Sequence, residues 1–464
     1  MTRLRALIGR FLPEGALVLS VLTFGYFAMG IVRNRVFATT FGADVELDAY
    51  NAAFKIPEVA LDVLVASGLT APFVPIFSSL RRRDEEAAND FGRTVLSVAV
   101  LVMSVTVLIL FLVAPATVGL VATGFDESTK ELYVSLFRIM CLTPVIFAAS
   151  ITIGEVLVAN QRFVFYALAP ILYTGGIVLF TFLFAGQLGI HATALGAVAG
   201  ALAHLAIRIA GLRRTTFRIR PKFKVRTPAF VEFIRLMLPR MVSHPIEPLV
   251  FTFFTGLAST LGPGSVSSVN FASDYQVVPV SLIGVSFSLA VFPTLAAAYT
   301  RDDGATFRAV LRRNVLTIGL LTTLGAIILA LGAPLFVDVL LGGGEFGPDD
   351  VARTAAVLSA FALSIPFDSL SYPLSRALYA THNTLLQVIA SIAAFGTIVV
   401  VASSLAPGIG IVAIPLGYAA GSAVKVGLLT TFLVPRIRRI GRGPGAGPEA
   451  PSGEAAAPEL SPER

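Results

Sequence analysis

The residues of this chain that could do chemistry are ionisable side chains set inside long apolar stretches. Lys55, Glu58 and Asp62 recur at i, i+3 and i+7, a spacing that places all three on one face of a helix. A charge inside hydrocarbon costs at least a few kcal/mol, so it needs water, a partner or a function. We therefore expect this face to look into a hydrated cavity.

Two sets of embedded charges are candidate site residues. The cationic set, which suits an anionic head group, comprises Arg33, Arg35, Lys55 and Arg240. The acidic set, which suits coupling or gating, comprises Asp48, Glu58, Asp62, Glu155, Glu247, Asp274 and Asp368. For each charge the alternative is an ion pair that only holds helices together, and Lys55 with Glu58 or Asp62 is the foremost such pair. Arg208 and Arg376 lie near helix ends, where we interpret them as snorkelling to the interface.

A second polar stretch, at residues 239–248, reads Pro-Arg-Met-Val-Ser-His-Pro-Ile-Glu-Pro. Proline lacks the backbone N–H that a helix needs, so its repetition here predicts a broken helix. Such a break is tolerated at membrane depth only where it lines water or is buried in protein. We expect this segment to border the same cavity.

Metal, cofactor and enzyme chemistry are not expected. The only cysteine, Cys141, lies in an apolar stretch, and the four histidines show no ligand spacing. The glycine-rich run at 342–347 lacks the lysine of a phosphate-binding loop, and no nucleophile stands beside a base. We predict a non-enzyme without metal or cofactor, for which a coupling ion, Na⁺ or H⁺, is optional.

Long apolar stretches must position these charges. The chain is 55% hydrophobic and 14% charged, with a mean hydropathy of +0.82, which is more apolar surface than a soluble domain of 464 residues can bury. Stretches of roughly 18 to 28 residues are long enough to cross a bilayer core as helices. We predict about twelve of them, near residues 15–33, 49–78, 95–122, 132–158, 163–185, 188–211, 230–258, 266–298, 314–341, 351–379, 384–405 and 410–434.

The charges between these stretches alternate along the chain. Basic residues occur near 81–83, 162, 213–226, 301–313, 376 and 436–442, whereas the intervening loops are acidic or neutral. By the positive-inside rule, the basic loops and both termini lie in the cytoplasm. Membrane topology thus explains the formal charge of +7, and nucleic-acid binding is not expected.

The two halves of the chain repeat each other. Pro57 matches Pro279 at a shift of 222, and the Leu-Gly-x-x-Ala-Gly motif at 195–200 recurs at 416–421. The glycines of this motif are expected to pack helices closely. Because six helices per half is an even number, the halves are parallel repeats related by an axis along the membrane normal.

The predicted fold class is an all-α polytopic membrane protein with two six-helix lobes related by a pseudo-twofold axis. Its predicted parts are an N-terminal lobe at 1–212, a basic cytoplasmic linker at 213–229, a C-terminal lobe at 230–436 and a disordered cytoplasmic tail at 437–464. Two such lobes enclose a central cavity that rocking exposes to alternate sides, an architecture that favours transport.

Four short motifs carry a resemblance to a known family. FGA at 41–43, DAY at 48–50, AFKIP at 53–57 and FVPIFS at 73–78 resemble the signature of the MviN/MurJ lipid II flippase family. That family belongs to the multidrug/oligosaccharidyl-lipid/polysaccharide exporter superfamily, whose fold is two six-helix lobes. The resemblance also implies that charged residues of functional weight stand at the positions of Arg33 and Asp48, whereas Phe27 stands where the family carries a further arginine.

The resemblance implies a flippase that moves a lipid II-like, polyprenyl-diphosphate-linked saccharide across the bacterial inner membrane by alternating access. Such a protein acts in peptidoglycan synthesis, and thereby in cell-wall construction and cell shape. Its partners are that saccharide and membrane lipids, with cell-wall synthesis proteins as further candidates. The alternatives are an ion-coupled multidrug or polysaccharide exporter of the same superfamily and a membrane scaffold that transports nothing.

Overall fold

The computed structural model describes residues 14–243, 246–381, 383 and 385–440, which are helical throughout apart from turns and loops. A single β-bridge, between Gly343 and Phe346, is their only β-pairing. The N-terminal half comprises α1 (Glu14–Phe41), α2 (Val45–Leu61), α3 (Ser67–Arg81), α4 (Glu85–Leu112), α5 (Ala114–Val121), α6 (Glu127–Met140), α7 (Leu142–Ala159), α8 (Phe163–Leu188) and α9 (His191–Gly211). The C-terminal half comprises α10 (Pro228–Ser243), α11 (Ile246–Ser259), α12 (Ser265–Pro279), α13 (Ser286–Thr300), α14 (Gly304–Leu341), α15 (Pro348–Ala362), α16 (Ile365–Ala380), α17 (Leu385–Ile409) and α18 (Ala413–Arg439).

Nine stretches of the described residues are long and apolar enough to cross a membrane. One of them, Leu385–Arg439, holds both α17 and α18, which are separated by a short 3-10 turn at Gly410–Val412. The all-α polytopic fold is therefore confirmed. The count of twelve, the lobe boundaries at 212, 230 and 436 and the order of the tail stay predictions, and residues 441–464 of that tail lie outside the described part of the chain.

Helices α2 and α12, one in each half, end in a bend at a corresponding place. A π-helical turn, Asp62–Ala66, joins α2 to α3, and another, Val280–Val285, joins α12 to α13. Each turn follows the proline of the predicted repeat, Pro57 or Pro279, and a proline removes one backbone hydrogen bond from the helical ladder. The two halves thus share a local backbone feature as well as a sequence motif.

The basic and acidic loops gather at opposite ends of the molecule. At one end the backbone N–H of Glu345 donates to the carbonyl of Thr39 at 3.1 Å, which joins the acidic loop before α15 to the last turn of α1. At the other end Thr216 donates to Glu85 at 2.8 Å, which joins two regions of the basic series. These are the acidic end and the basic end below.

The glycines of the repeated motif lie where helices touch. A Cβ at Gly200 would collide with the backbone carbonyl of Tyr173 on α8, and a Cβ at Gly417 would lie 2.8 Å from the Cβ of Ala402 on α17. Only a residue without a side chain permits these approaches. The predicted role of the motif in helix packing is confirmed.

Candidate functional site

A charged pair joins the two halves in the interior. The guanidinium of Arg33 on α1 contacts the carboxylate of Asp274 on α12 at 2.8 Å. Asn34 donates to the same carboxylate oxygen at 3.0 Å and accepts from Arg33 at 2.9 Å. The side chains of Arg33 and Asp274 stay 30% and 44% exposed, so the pair borders open space.

Three further charges surround this pair. Glu58, which is exposed, lies within electrostatic reach of Lys55, Asp62, Arg33 and Asp274. The five residues are here called the central cluster, and they come from α1, α2, the π-helical turn that follows α2, and α12. Two cations and three carboxylates in partly open space make a site that can exchange its internal ion pairs for those of a charged ligand.

Aromatic rings border the central cluster. The ammonium of Lys55 lies 5.8 Å from the ring centroid of Phe251 on α11, within the range of a cation–π contact. Arg33 lies 5.9 Å from the ring of Phe37. These rings give the cations an apolar flank, which strengthens their interaction with any anion that displaces water.

Asp48 is buried at the acidic end, away from the central cluster. Its Oδ1 atom accepts from the backbone N–H of Ser267 at 2.7 Å and from the Ser267 hydroxyl at 2.6 Å. Ser267 lies in the first turn of α12, where unpaired N–H groups attract an anion. Asp48 therefore fastens the N-terminal half to the C-terminal half at this end.

Arg35 also lies at the acidic end and is not a member of the central cluster. Its guanidinium donates to the carbonyl of Val339 on α14 at 3.0 Å, and its side chain is exposed. Close by, a Cβ at Gly264 would collide with the carbonyl of Ala43, so the two backbones nearly touch. The arginine predicted to bind substrate thus helps to hold the two halves together.

A cavity of about 610 Å³ opens within the C-terminal half. Two acidic residues of the predicted set, Glu247 and Asp368, line it together with Arg376 and Lys425. Asp368 accepts a hydrogen bond from the hydroxyl of Tyr418 at 3.0 Å. The cavity wall also includes Phe251, the ring that Lys55 contacts, so the cavity adjoins the central cluster.

The snorkelling interpretation of Arg376 and Arg208 is wrong. Arg376 faces the cavity, with its guanidinium 5.9 Å from the ring of Phe292. Arg208 is buried inside the N-terminal half, where it donates to the carbonyl of Ser150 at 2.7 Å and lies 4.8 Å from the ring of Tyr166. Arg208 thus contacts a carbonyl and an aromatic ring, and Arg376 contacts an aromatic ring. Both guanidinium groups therefore point toward other parts of the protein.

Glu155 is buried beside Arg208 and does not reach the central cluster. A Cβ added at Gly154 would collide with the guanidinium of Arg208, so the neighbouring glycine makes room for that cation. This acid and base fit the alternative reading, in which a charged pair holds helices together.

The remaining predicted residues are only partly described. The side chain of Arg240 and the whole of His244 and Pro245 lie outside the described residues. The described backbone is helical up to Ser243 and again from Ile246, and the predicted break between them falls outside the described residues and stays a prediction. Within the described part of the chain, no three His, Cys, Asp or Glu side chains converge as a metal site would require.

Sequence reasoning missed three residues that complete this arrangement. Asn34 braces the Arg33 and Asp274 pair, Ser267 receives Asp48, and Tyr418 donates to Asp368. Each is an uncharged polar residue within an apolar stretch. Such residues are common in membrane helices, so they stand out in the sequence less than charged residues do. Attention to neutral hydrogen-bonding residues beside the embedded charges would have found Asn34.

Comparison with known proteins places the chain among membrane transporters. The family model described as lipid II flippase MurJ matches residues 37–444. A probable lipid II flippase MurJ of Thermotoga maritima is 29% identical over 79% of this chain and 74% of its own length. One from Borreliella burgdorferi is 26% identical over 76% and 70%. The lipid II flippase MurJ of Burkholderia cenocepacia is 25% identical over 72% and 67%.

Solved structures show the same fold. A lipid II flippase MurJ in an inward closed conformation matches with a TM-score of 0.78 at 21% identity, covering 92% of this chain and 90% of its own. An inward-facing multidrug resistance transporter of the MATE family matches with a TM-score of 0.73 at 13% identity, covering 90% and 96%. At these identities the likeness concerns architecture alone.

Proposed function

Because the chain belongs to the MurJ family of lipid II flippases, we propose that it moves lipid II, a lipid-linked cell-wall precursor, from one membrane leaflet to the other. The match of the family model to residues 37–444 carries this conclusion. The protein is a transporter and not an enzyme, and it acts in peptidoglycan biosynthesis. Flipping makes and breaks no covalent bond, so binding and conformational change account for the whole cycle.

Alternating access begins from a structure whose halves are fastened at the acidic end. Asp48 with Ser267 and Arg35 with Val339 connect the halves there. The central cluster lies deeper and stays partly exposed. In the proposed cycle the head group enters this cluster, and the fastenings at the acidic end then open to release it on that side.

Arg33 and Lys55 bind the phosphates of the head group in this proposal. Without substrate, Asp274 forms an ion pair with Arg33. Such a partly exposed ion pair stabilises the folded protein by at most about 1 kcal/mol. A diphosphate offers more charge and more acceptor oxygens, so it displaces the carboxylate at little cost. Asp274 and Glu58 then return to the cations when the substrate leaves, which resets the site.

The proposed location is the bacterial cytoplasmic membrane, with the basic end and both termini in the cytoplasm. The positive-inside rule supports this orientation. An inside-negative potential then assists outward movement of an anion by about 2.3 kcal/mol per charge per 100 mV. Sodium or protons are therefore an optional addition to the driving force, and cell-wall synthesis proteins are candidate partners.

The assignment of Arg33 and Lys55 is tested by replacing both with alanine and measuring flipping of lipid II in proteoliposomes. We expect a severe loss of flipping, because the diphosphate then enters the cavity without counter-charges. The matched control is Arg312→Ala with Arg313→Ala, which removes the same charge from exposed positions on α14. Wild-type flipping by the Arg33 and Lys55 variant would refute the assignment.

The substrate itself is tested separately, by depleting the protein in its native host and identifying which lipid-linked precursor accumulates. Accumulation of lipid II supports the proposed function. Accumulation of a different polyprenyl-linked saccharide, or of none, would contradict it whatever the outcome of the arginine and lysine substitutions.

A further inference from the structure

A segment of the central linker is strapped onto the N-terminal half. Residues 218–226, here called the strap, lie along the first turns of α4. The ammonium groups of Lys222 and Lys224 contact the two carboxylate oxygens of Asp90 at 3.1 Å and 2.6 Å. The hydrogen bond to Asp90 raises the pKa of Lys224, so this contact persists across the physiological pH range.

Backbone bonds set the position of the strap along α4. The N–H of Lys222 donates to the hydroxyl of Ser97 at 3.0 Å, and the N–H of Lys224 donates to that of Thr94 at 3.3 Å. Arg93 donates to the carbonyl of Arg218 at 3.0 Å. The strap is therefore held at several points and does not behave as a free connection between the halves.

The strap carries several exposed apolar side chains. Ile219, Phe223 and Val225 are 46%, 56% and 42% exposed, while the ammonium groups of the lysines on either side of Phe223 contact Asp90. Large apolar side chains held outward in a row mark a surface that contacts lipid or protein. The question is which of these covers the row.

The position of the strap along α4 indicates that lipid, and not protein, covers the apolar side chains. The first turns of α4 carry Glu85, Glu86 and Asp90, and an apolar run begins at Val95. Ser97 lies about 18 Å along the helix from Glu85, at 1.5 Å per residue. Because the strap is bonded to Thr94 and Ser97, Phe223 lies at the level of α4 where the charged turns end and the apolar run begins.

Three arginines accompany the apolar row. Arg218, Arg220 and Arg226 are exposed, and no carboxylate of the described residues lies within ion-pair distance of them. Asp90 is occupied by the two lysines and Arg93. The strap thus offers positive charge without a carboxylate partner beside apolar side chains, at the level where the charged turns of α4 give way to its apolar run.

We propose that the strap is an interfacial anchor for anionic phospholipid. Ile219, Phe223 and Val225 insert among the upper acyl chains, and the three arginines bind the head-group phosphates. Apolar insertion supplies contact with any lipid, whereas the arginines select the anionic ones. This binding surface is separate from the central cluster and does not depend on which substrate is flipped.

The absence of tryptophan from the sequence allows a direct test. Phe223→Trp gives a protein with one tryptophan, whose fluorescence is measured in phosphatidylcholine vesicles containing phosphatidylglycerol brominated near the carboxyl ends of its chains. We expect a blue-shifted emission that the bromines quench. Leu320→Trp, at a 73% exposed position in the middle of α14, is the lipid-facing control, and Arg83→Trp, in a basic loop, is the water-facing control.

A second arm tests selection of the anionic head group. In the Phe223→Trp background, quenching by brominated phosphatidylglycerol is compared with quenching by brominated phosphatidylcholine. Replacing Arg218, Arg220 and Arg226 with glutamine is expected to lower the preference for the anionic lipid by about fivefold per charge. The matched control replaces Arg301, Arg312 and Arg313, which removes three charges from the same end.

Two results would overturn the proposal. Emission and quenching of Phe223→Trp equal to those of Arg83→Trp would show that the row faces water or a protein partner. An anionic preference unchanged by loss of the three strap arginines, or lowered equally by the control triple, would show that they do not hold the head group. Val225→Trp repeats the measurement from a neighbouring position if tryptophan at 223 disturbs the strap.

Discussion

Asp48 is the residue whose loss should matter most at the acidic end. It is buried, and it accepts bonds from both the backbone and the hydroxyl of Ser267. Without its carboxylate, a buried N–H and a buried hydroxyl lose this acceptor. An unsatisfied buried polar group costs about 1–3 kcal/mol.

We therefore expect Asp48→Ala to destabilise this conformation by about 1–3 kcal/mol, and Ser267→Ala by less, because the backbone bond survives in the second variant. Thermal unfolding in detergent measures both. Glu46→Ala, an exposed change on the same helix, is the control and should leave the midpoint unaltered. Equal midpoints for the Asp48 variant and the wild type would rule out this role.

Part of the candidate site could be predicted from single residues of the sequence. The embedded charges identified Arg33, Asp274 and Asp48 as residues that need partners, because any charge in hydrocarbon does. The partners themselves are more than 200 positions away in the chain, at Asp274 for Arg33 and Ser267 for Asp48. The sequence also left open which way an arginine points, and for this reason Arg208 and Arg376 were assigned to the interface wrongly.

At the scale of helices, apolar length predicted most spans to within a few residues, as the bounds of α8 and α9 show. Irregularities within the helices were harder to predict from the sequence. The π-helical turn Asp62–Ala66 gave no sequence signal beyond Pro57, because such a turn only shifts the backbone hydrogen bonds from i+4 to i+5 and leaves the apolar pattern of the span unchanged. The helix break predicted from the prolines at 239–248 falls at residues 244–245, outside the described residues, and stays a prediction.

The contact between α8 and α9 supplies a prediction with an internal control. Gly175 and Gly176 are adjacent on α8, but a Cβ at Gly176 would lie 2.5 Å from the Cα of Gly200, whereas a Cβ at Gly175 meets nothing within 4 Å. We expect Gly176→Ala to destabilise the protein by about 1–3 kcal/mol through forced separation of the helices. Gly175→Ala should be neutral or stabilising by up to about 1 kcal/mol, because alanine favours the helix.

Thermal unfolding of the two alanine variants decides this case. Because the substitutions are chemically identical and one residue apart, differences in helix propensity cancel. Similar unfolding midpoints would mean that α8 and α9 do not approach as closely as the structure shows.

For the whole molecule, the arrangement requires the acidic end to open during each cycle. The halves meet there through Thr39 of α1 and Glu345 of the loop before α15, whose backbones bond at 3.1 Å. A flippase that alternates between two openings stops when this contact cannot break. A scaffold that transports nothing would be indifferent to it, so the same experiment separates the two functions.

In a Cys141→Ala background, Thr39→Cys with Glu345→Cys should form a disulfide that abolishes flipping of lipid II in proteoliposomes, and reduction should restore it. Cys141 is the only native cysteine, so no other thiol competes.

The control pair, Ala330→Cys with Ser359→Cys, joins α14 to α15 within the C-terminal half, where Ser359 already bonds the Ala330 carbonyl at 3.0 Å. Oxidation of that pair should leave flipping intact, because neither half needs to deform internally when one rocks against the other. Undiminished flipping with the halves crosslinked would exclude alternating access at this end, and normal cell-wall growth in cells carrying the crosslink would favour the scaffold.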